Sequence, residues 1–186
     1  MPILGAVASS RLTGPTTSYE SIATTTVGSG GVADITFSSI PATYTHLQIR
    51  GIGRTTTSNT DDNIYMQFNG DTTSNYAAHY LYGDGSNALA AGAANQSNVV
   101  ACRITGASST ANRFGATVVD ILDYANTNKF KTTRVLTAHE QNGSGYIFLL
   151  SGLWRSTSAI SSIKLYVSPN NIAQYSQFAL YGIKGA

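Results

Sequence analysis

The run from Phe114 to Trp154, FGATVVDILDYANTNKFKTTRVLTAHEQNGSGYIFLLSGLW, constrains the fold more than any other stretch of the chain. It reads as three long strands joined by two turns. Val119 and Ile121 fall on one side of the first strand, with Val118 and Leu122 on the other, which is the period-two alternation of a sheet. Ala125-Asn126-Thr127-Asn128 is made of residues that tolerate tight or left-handed backbone. Thr133 and Val135 continue a second strand to Asn142-Gly143. Asn-Gly between apolar runs is the strongest short-range hairpin signal, because a type I′ turn needs positive φ at both central positions. Ile147-Phe148-Leu149-Leu150 is apolar throughout, which predicts a third strand buried on both faces. Such a meander is the platform of a sandwich or barrel and says little about chemistry.

The flanking chain repeats the pattern. A Thr-rich strand over Tyr19–Val27 turns at Gly28-Ser29-Gly30-Gly31 and returns with Ile35 and Phe37 on one face. Pro41, which cannot donate to a ladder, ends that strand. Leu47 and Ile49 alternate with His46, Gln48 and Arg50, and Ile64, Met66 and Phe68 form another clean alternation. Tyr76–Tyr82 and Val99–Ile104 read as strands, as do the segments carrying Ile163, Leu165 and Val167 and Phe178–Ile183. Residues Ala88–Asn98 are small and polar; Gly92 and the missing apolar stripe predict a long loop. About ten strands with turn signals at short intervals predict an all-β, antiparallel, jelly-roll-like sandwich. No internal period supports a propeller, solenoid or fibre shaft, and no heptads support a coiled coil. The expected organisation is an extended N-terminal docking arm over 1–18 and a single β-sandwich domain over 19–186. The arm reading rests on Ile3, Leu4, Val7 and Leu12, which have no strand or helix period. A frayed terminus is the alternative.

Charged residues make up 11% of the 186 residues, against about 25% in ordinary soluble proteins. Weak charge removes the repulsion that keeps free proteins apart, so it suits a chain that works packed against neighbours. The net charge is +2, and the basic residues are scattered from Arg11 to Lys184, so no nucleic-acid partner is expected. A single cysteine, Cys102, excludes an internal disulfide and is expected to be a buried thiol. No apolar run reaches membrane-spanning length, and MPILGAVASSRL lacks the basic region of a signal peptide.

Chemistry-bearing constellations are sparse. Nucleophile-elbow, metalloprotease, Walker and dinucleotide-binding motifs are missing. His46, His79 and His139 fall on different strands without metal-ligand spacing. Asp120 and Asp123 have a spacing that puts them on opposite strand faces, so they do not form a glycosidase-type pair. Asp120 is expected to bind Lys129, Lys131, Arg134 or backbone donors. Asp61, Asp62, Asp71 and Asp84 lie in Asn/Gly-rich turns, where turn chemistry is favoured over calcium binding. No catalytic residue, metal or cofactor is therefore assigned. Tyr76, Tyr80 and Tyr82 crowd one segment, as core residues or as aromatics of an interface or glycan-binding face.

Several segments together resemble a family of small β-rich virion structural proteins of tailed bacteriophages. They are Ser18-Tyr19-Glu20-Ser21-Ile22-Ala23, Ile40-Pro41-Ala42-Thr43-Tyr44-Thr45-His46-Leu47, Asn69-Gly70-Asp71, Asp120-Ile121-Leu122-Asp123-Tyr124, Ser151-Gly152-Leu153-Trp154 and Leu180-Tyr181-Gly182-Ile183-Lys184-Gly185. The resemblance implies a non-enzymatic particle component that folds in the host cytoplasm and ends in the virion. Low charge, an apolar arm and the missing fibre shaft favour a capsid decoration (cement) protein, a homotrimer bound to the major capsid protein on the head exterior. The alternative is a tail-tip or fibre-associated module recognising host cell-surface glycan through Tyr76, Tyr80 and Tyr82.

Overall fold

Strand alternation in the sequence becomes a burial pattern in the computed structural model, which describes residues 18–185. Ile35 and Phe37, Leu47 and Ile49, Ile64, Met66 and Phe68, Val119 and Ile121, and Ile163 and Leu165 are all buried in one core. They belong to strands β1 (Tyr19–Thr26), β2 (Asp34–Phe37), β3 (His46–Gly53), β4 (Asp61–Phe68), β5 (Tyr76–Gly83), β6 (Ala88–Gln96), β7 (Val99–Thr105), β8 (Gly115–Leu122), β9 (Lys131–Glu140), β10 (Gly145–Trp154), β11 (Ile163–Tyr166) and β12 (Gln177–Ile183), or pack against them. Eight strands form a large sheet in the order β1-β12-β3-β8-β9-β10-β5-β6, and four form a small one, β2-β11-β4-β7. Neighbouring strands in both sheets are antiparallel. The fold is the expected all-β antiparallel sandwich. The chain alternates between sheets at β1–β2–β3–β4 and again at β11–β12. The β5–β6 and β9–β10 pairs lengthen the large sheet beyond the small one.

The β9–β10 hairpin forms at the Asn-Gly pair. Asn142 and Gly143 have φ of 66° and 96°, and the Gln141 N–H donates to the Ser144 carbonyl at 2.7 Å. Positive φ at both central positions is what a two-residue turn with the twist of its strands requires.

Two sequence expectations are overturned. Ala88–Asn98 is not a loop: Ala88–Gln96 is β6, paired with β5 along the edge of the large sheet. All nine of its residues are exposed, so no apolar alternation marks it, and cross-strand pairing rather than propensity makes it a strand. β10 is not buried on both faces either. Phe148 and Leu150 face the core, while Ile147 and Leu149 are more than half exposed on the outer face.

The two sheets are joined by threonine hydroxyls. β7 is the last strand of the small sheet, and its free backbone edge turns toward the inner face of the large one. The Thr117 hydroxyl donates to the Ala101 carbonyl at 2.9 Å. Thr137 Oγ1 accepts from the Arg103 N–H at 3.2 Å and lies 3.0 Å from the Arg103 carbonyl and 3.1 Å from that of Ala116. Backbone groups that would be orphaned in the core are thereby satisfied. At Gly152 on β10, a Cβ would meet Thr133 Oγ1 at 2.4 Å and Val99 Cγ2 at 2.6 Å, so only glycine lets the sheets approach there. Lys131 is buried, and its ammonium donates to the carbonyls of Asn126, Lys129 and Thr157 at 2.6, 2.9 and 3.1 Å. It ties the β8–β9 turn to the segment after β10.

Thr137→Val keeps the shape but strands the Arg103 backbone, so it is expected to cost about 1–3 kcal/mol. Thr133 Oγ1 is buried with no hydrogen-bond partner among the described residues, so Thr133→Val is expected to be neutral or stabilising. Urea unfolding of both variants beside the parent checks the contrast; equal losses would remove the role given to the Thr137 hydroxyl.

Candidate functional site

The small sheet cannot cover all of the large one, and the uncovered parts hold the surfaces with binding character. On the outer face, strand register places Val118, Leu136, Leu149, Leu81 and Ala90 in one row across β8, β9, β10, β5 and β6. Leu136, Leu149 and Leu81 are 51%, 52% and 52% exposed, so the centre of the row is an apolar strip open to solvent. Ile147 and Ile52 extend it on the same face.

Two residues further along β8 and β9 the same face is polar and its charges are matched. Arg134 Nη2 donates to Asp120 Oδ2 at 2.7 Å, and Gln48 Nε2 donates to Asp120 Oδ1, also at 2.7 Å. Arg50 donates to Gln48 Oε1 at 2.8 Å and lies between the rings of Tyr19 and Tyr181, 5.6 and 5.9 Å from their centroids. Of the basic residues expected near Asp120, Arg134 is its partner, whereas Lys129 binds Asp123 at 2.7 Å. The Lys129 ammonium holds the Asp123 carboxyl below its usual range.

The open strand edges differ in protection. β1 carries Glu20, paired with Lys184, and a register shift between Ser21 and Ala23. β2 is only four residues long and bears Asp34. The β7 edge is taken by Thr117 and Thr137. β6 has nine exposed residues and neither charge nor proline, although its register shifts near its C-terminal end. An uncharged edge of this length is a template for further pairing.

On the inner side, where β5 and β6 extend past β7, aromatic rings form a ledge. Tyr82 stacks on Phe148 at 4.7 Å between centroids. Tyr80 lies 6.2 Å from Phe148, and Tyr146 lies 5.9 Å from Tyr82 and 5.8 Å from Phe148. The Arg103 guanidinium sits over Tyr146 and Phe148 at 5.0 and 5.1 Å, its Nε held by Asp61.

Tyr80 and Tyr82 are thus together, as the sequence grouped them, but Tyr76 is elsewhere. It is fully buried beside Phe68 and Trp154. Its hydroxyl accepts from the Phe68 N–H at 3.0 Å and donates to the Asp71 carbonyl at 3.1 Å. Burial pushes its pKa up to about 12. Tyr146, Phe148 and Arg103 were not singled out in the sequence. The period-two placement of Tyr146 and Phe148 was visible, but their neighbours on β5 come from a strand distant in sequence. Ile3, Leu4, Val7 and Leu12 of the expected arm lie outside the described residues.

The remaining polar candidates are occupied structurally. Asp71 would be raised by burial, but bonds from Thr73, Asn75 and the Trp154 indole hold it well below the usual carboxylate range. Asp84 accepts from the backbone of Ser86 and Asn87 at 2.8 and 2.7 Å. Asp62 accepts from the Asn63 N–H at 2.8 Å. Among the described residues no cluster of three or more His, Cys, Asp or Glu side chains could hold a metal ion. His46 Nδ1 accepts from the Asp123 N–H at 3.0 Å, and His79 is exposed on the outer face against Gly92. Cys102 is fully buried, and burial pushes its thiol pKa up. No protein-family model, curated protein or solved structure matches the chain.

His139 borders the ledge, 5.5 Å from Tyr146, buried and with neither ring nitrogen hydrogen-bonded among the described residues. Burial lowers its pKa; the Arg103 charge acts in the same direction, and Asp61, the nearby Arg103 backbone and Glu140 oppose it. The folded state therefore favours the neutral ring, and its contribution is present above the unfolded value of about 6.5 and lost as pH falls toward the folded one. Unfolding free energy is expected to decline on going from neutral pH into the mildly acidic range, with a shallower decline in His139→Phe. Parallel slopes for parent and variant in denaturant titrations would assign the loss to other groups.

Proposed function

We propose that this protein is a non-enzymatic structural component of a tailed-bacteriophage virion, and that it acts as a capsid decoration (cement) protein on the outside of the head. The observation that carries the reading is the large sheet's uncovered outer face, with its apolar strip at Leu136, Leu149 and Leu81 running to the open β6 edge. An apolar strip of this kind marks an interaction surface, and few charges on the chain oppose close packing. The sequence resemblance supplies the setting, and the sandwich suits it. We read β1-β12-β3-β8 over β2-β11-β4-β7 as a jelly roll whose first sheet is extended by the β9–β10 and β5–β6 hairpins.

In this reading the chain folds in the host cytoplasm, forms a homotrimer and binds the major capsid protein. Ile3, Leu4, Val7 and Leu12 act as a docking arm on the neighbouring subunit. Binding only the assembled lattice stabilises that lattice by mass action. The aromatic ledge favours a second reading, a tail-tip or fibre-associated module that recognises host cell-surface glycan.

Quantitative stoichiometry of purified virions separates the two. A decoration protein is expected at about one copy per major capsid subunit, a ratio set by lattice symmetry. A few to a few dozen copies per particle would place the chain on the tail instead. On the head, Leu149→Lys is expected to leave the fold intact and weaken capsid binding by at least about tenfold. Undiminished decoration by that variant would remove the apolar strip as the contact.

A further inference from the structure

We infer that the cleft beneath the aromatic ledge is a binding site for a single pyranose ring bearing vicinal hydroxyls. The cleft has a volume of about 150 Å³ and lies between the sheets where β5 projects past β7. It is lined by the apolar Val100, Val135, Phe148 and Leu150, by Tyr80 and Thr137, and by Asn63 and Arg103, whose side chains supply its free polar groups. An apolar cavity of ~150 Å³ takes a ring the size of benzene, so this open cleft seats the C–H face of one pyranose with its outer hydroxyls at the mouth.

Those polar groups determine which ring. Asn63 and Arg103 are directly opposed on β4 and β7. The Asn63 side-chain amide has no hydrogen-bond partner among the described residues, and Arg103 uses only Nε, on Asp61. Its terminal nitrogens are left to bond a ligand, while stacking on Tyr146 and Phe148 fixes the plane of the group. Two adjacent donor groups, one of which also accepts, match two hydroxyls on neighbouring carbons. A monohydric phenol offers only one hydroxyl, and a hydrocarbon ring would leave both polar groups desolvated and unpaired. A pyranose combines C–H faces that lie against aromatic walls with an edge of hydroxyls. Tyr82 and Tyr146 continue the aromatic surface outward, which provides for a second sugar unit. A mostly apolar lining with a few convergent polar groups is the usual composition of such a site.

The assignment deepens the glycan-recognition reading but does not require the protein to be a receptor. It is tested on the isolated full-length chain by saturation-transfer NMR with methyl pyranosides of gluco, galacto and manno configuration at millimolar concentration. Transfer to the ring C–H protons of at least one pyranoside is expected, with affinity reduced about tenfold in Asn63→Ala and in Tyr80→Ala and retained in Tyr80→Phe. If Tyr80→Ala fails to fold, Asn63→Ala, at a half-buried position, decides alone. No transfer to any of the three would overturn the site, as would equal binding by Asn63→Ala. Binding of p-cresol with no pyranoside bound would overturn it too. Attachment of the protein to host cells is measured separately: pyranoside binding without attachment upholds the site and removes only the receptor role.

Discussion

The sandwich depends on how the free edge of β7 is satisfied. A strand edge that turns into a dry interior carries unpaired N–H and C=O groups, and each costs a desolvation penalty unless it finds a partner. Here Thr117 and Thr137, on the inner face of β8 and β9, accept and donate to the backbone of Ala101 and Arg103. Those bonds bring the last strand of the small sheet against the middle of the large one. Val99, Cys102 and Ile104 can then pack with Val119, Val135 and Leu150 in the same core. Gly152 and Thr133 set the separation on the adjoining row.

Fixing β7 there has a cost in coverage. β5 and β6 continue the large sheet beyond it, so past the buried Tyr76 the inner face of β5 is only partly covered. Tyr80, Tyr82, Tyr146 and Phe148 fill part of that gap by packing on one another, and Arg103 reaches over two of the rings. The ledge, its cleft and the exposed β6 edge share one geometric origin, the mismatch between an eight-stranded and a four-stranded layer.

The two faces of the large sheet divide the work. Where the small sheet covers it, the inner face is committed to folding, through aliphatic rows and the threonine contacts. The outer face has a polar half, where Asp120, Arg134, Gln48 and Arg50 satisfy one another, and an apolar half centred on Leu149. The polar half is self-contained and gains little from a partner. The apolar half gains by being covered, which is why it, rather than the charged strip, is the surface the proposed assembly role draws on.

Local chemistry let the sequence determine most strands and turns by itself. Alternation at Leu47 and Ile49, at Ile64, Met66 and Phe68, and at Ile163 and Leu165 reports one-sided burial directly. Asn142-Gly143 specifies its turn through backbone sterics alone. The pairing of Asp120 with a nearby base was legible for the same reason, since the β8–β9 hairpin keeps Arg134 close in sequence. What depended on distant neighbours was not legible. β6 has no apolar side to show, because it is a strand only through its bonds to β5. The four apolar residues Ile147–Leu150 look buried throughout until the sandwich leaves one face of β10 uncovered. Tyr76 and Tyr80 look equivalent in the chain, yet one lies under the small sheet with Trp154 and the other stands at its border. Only tertiary structure decides such cases, because burial of a side chain belongs to the layer packed over it and not to the residue.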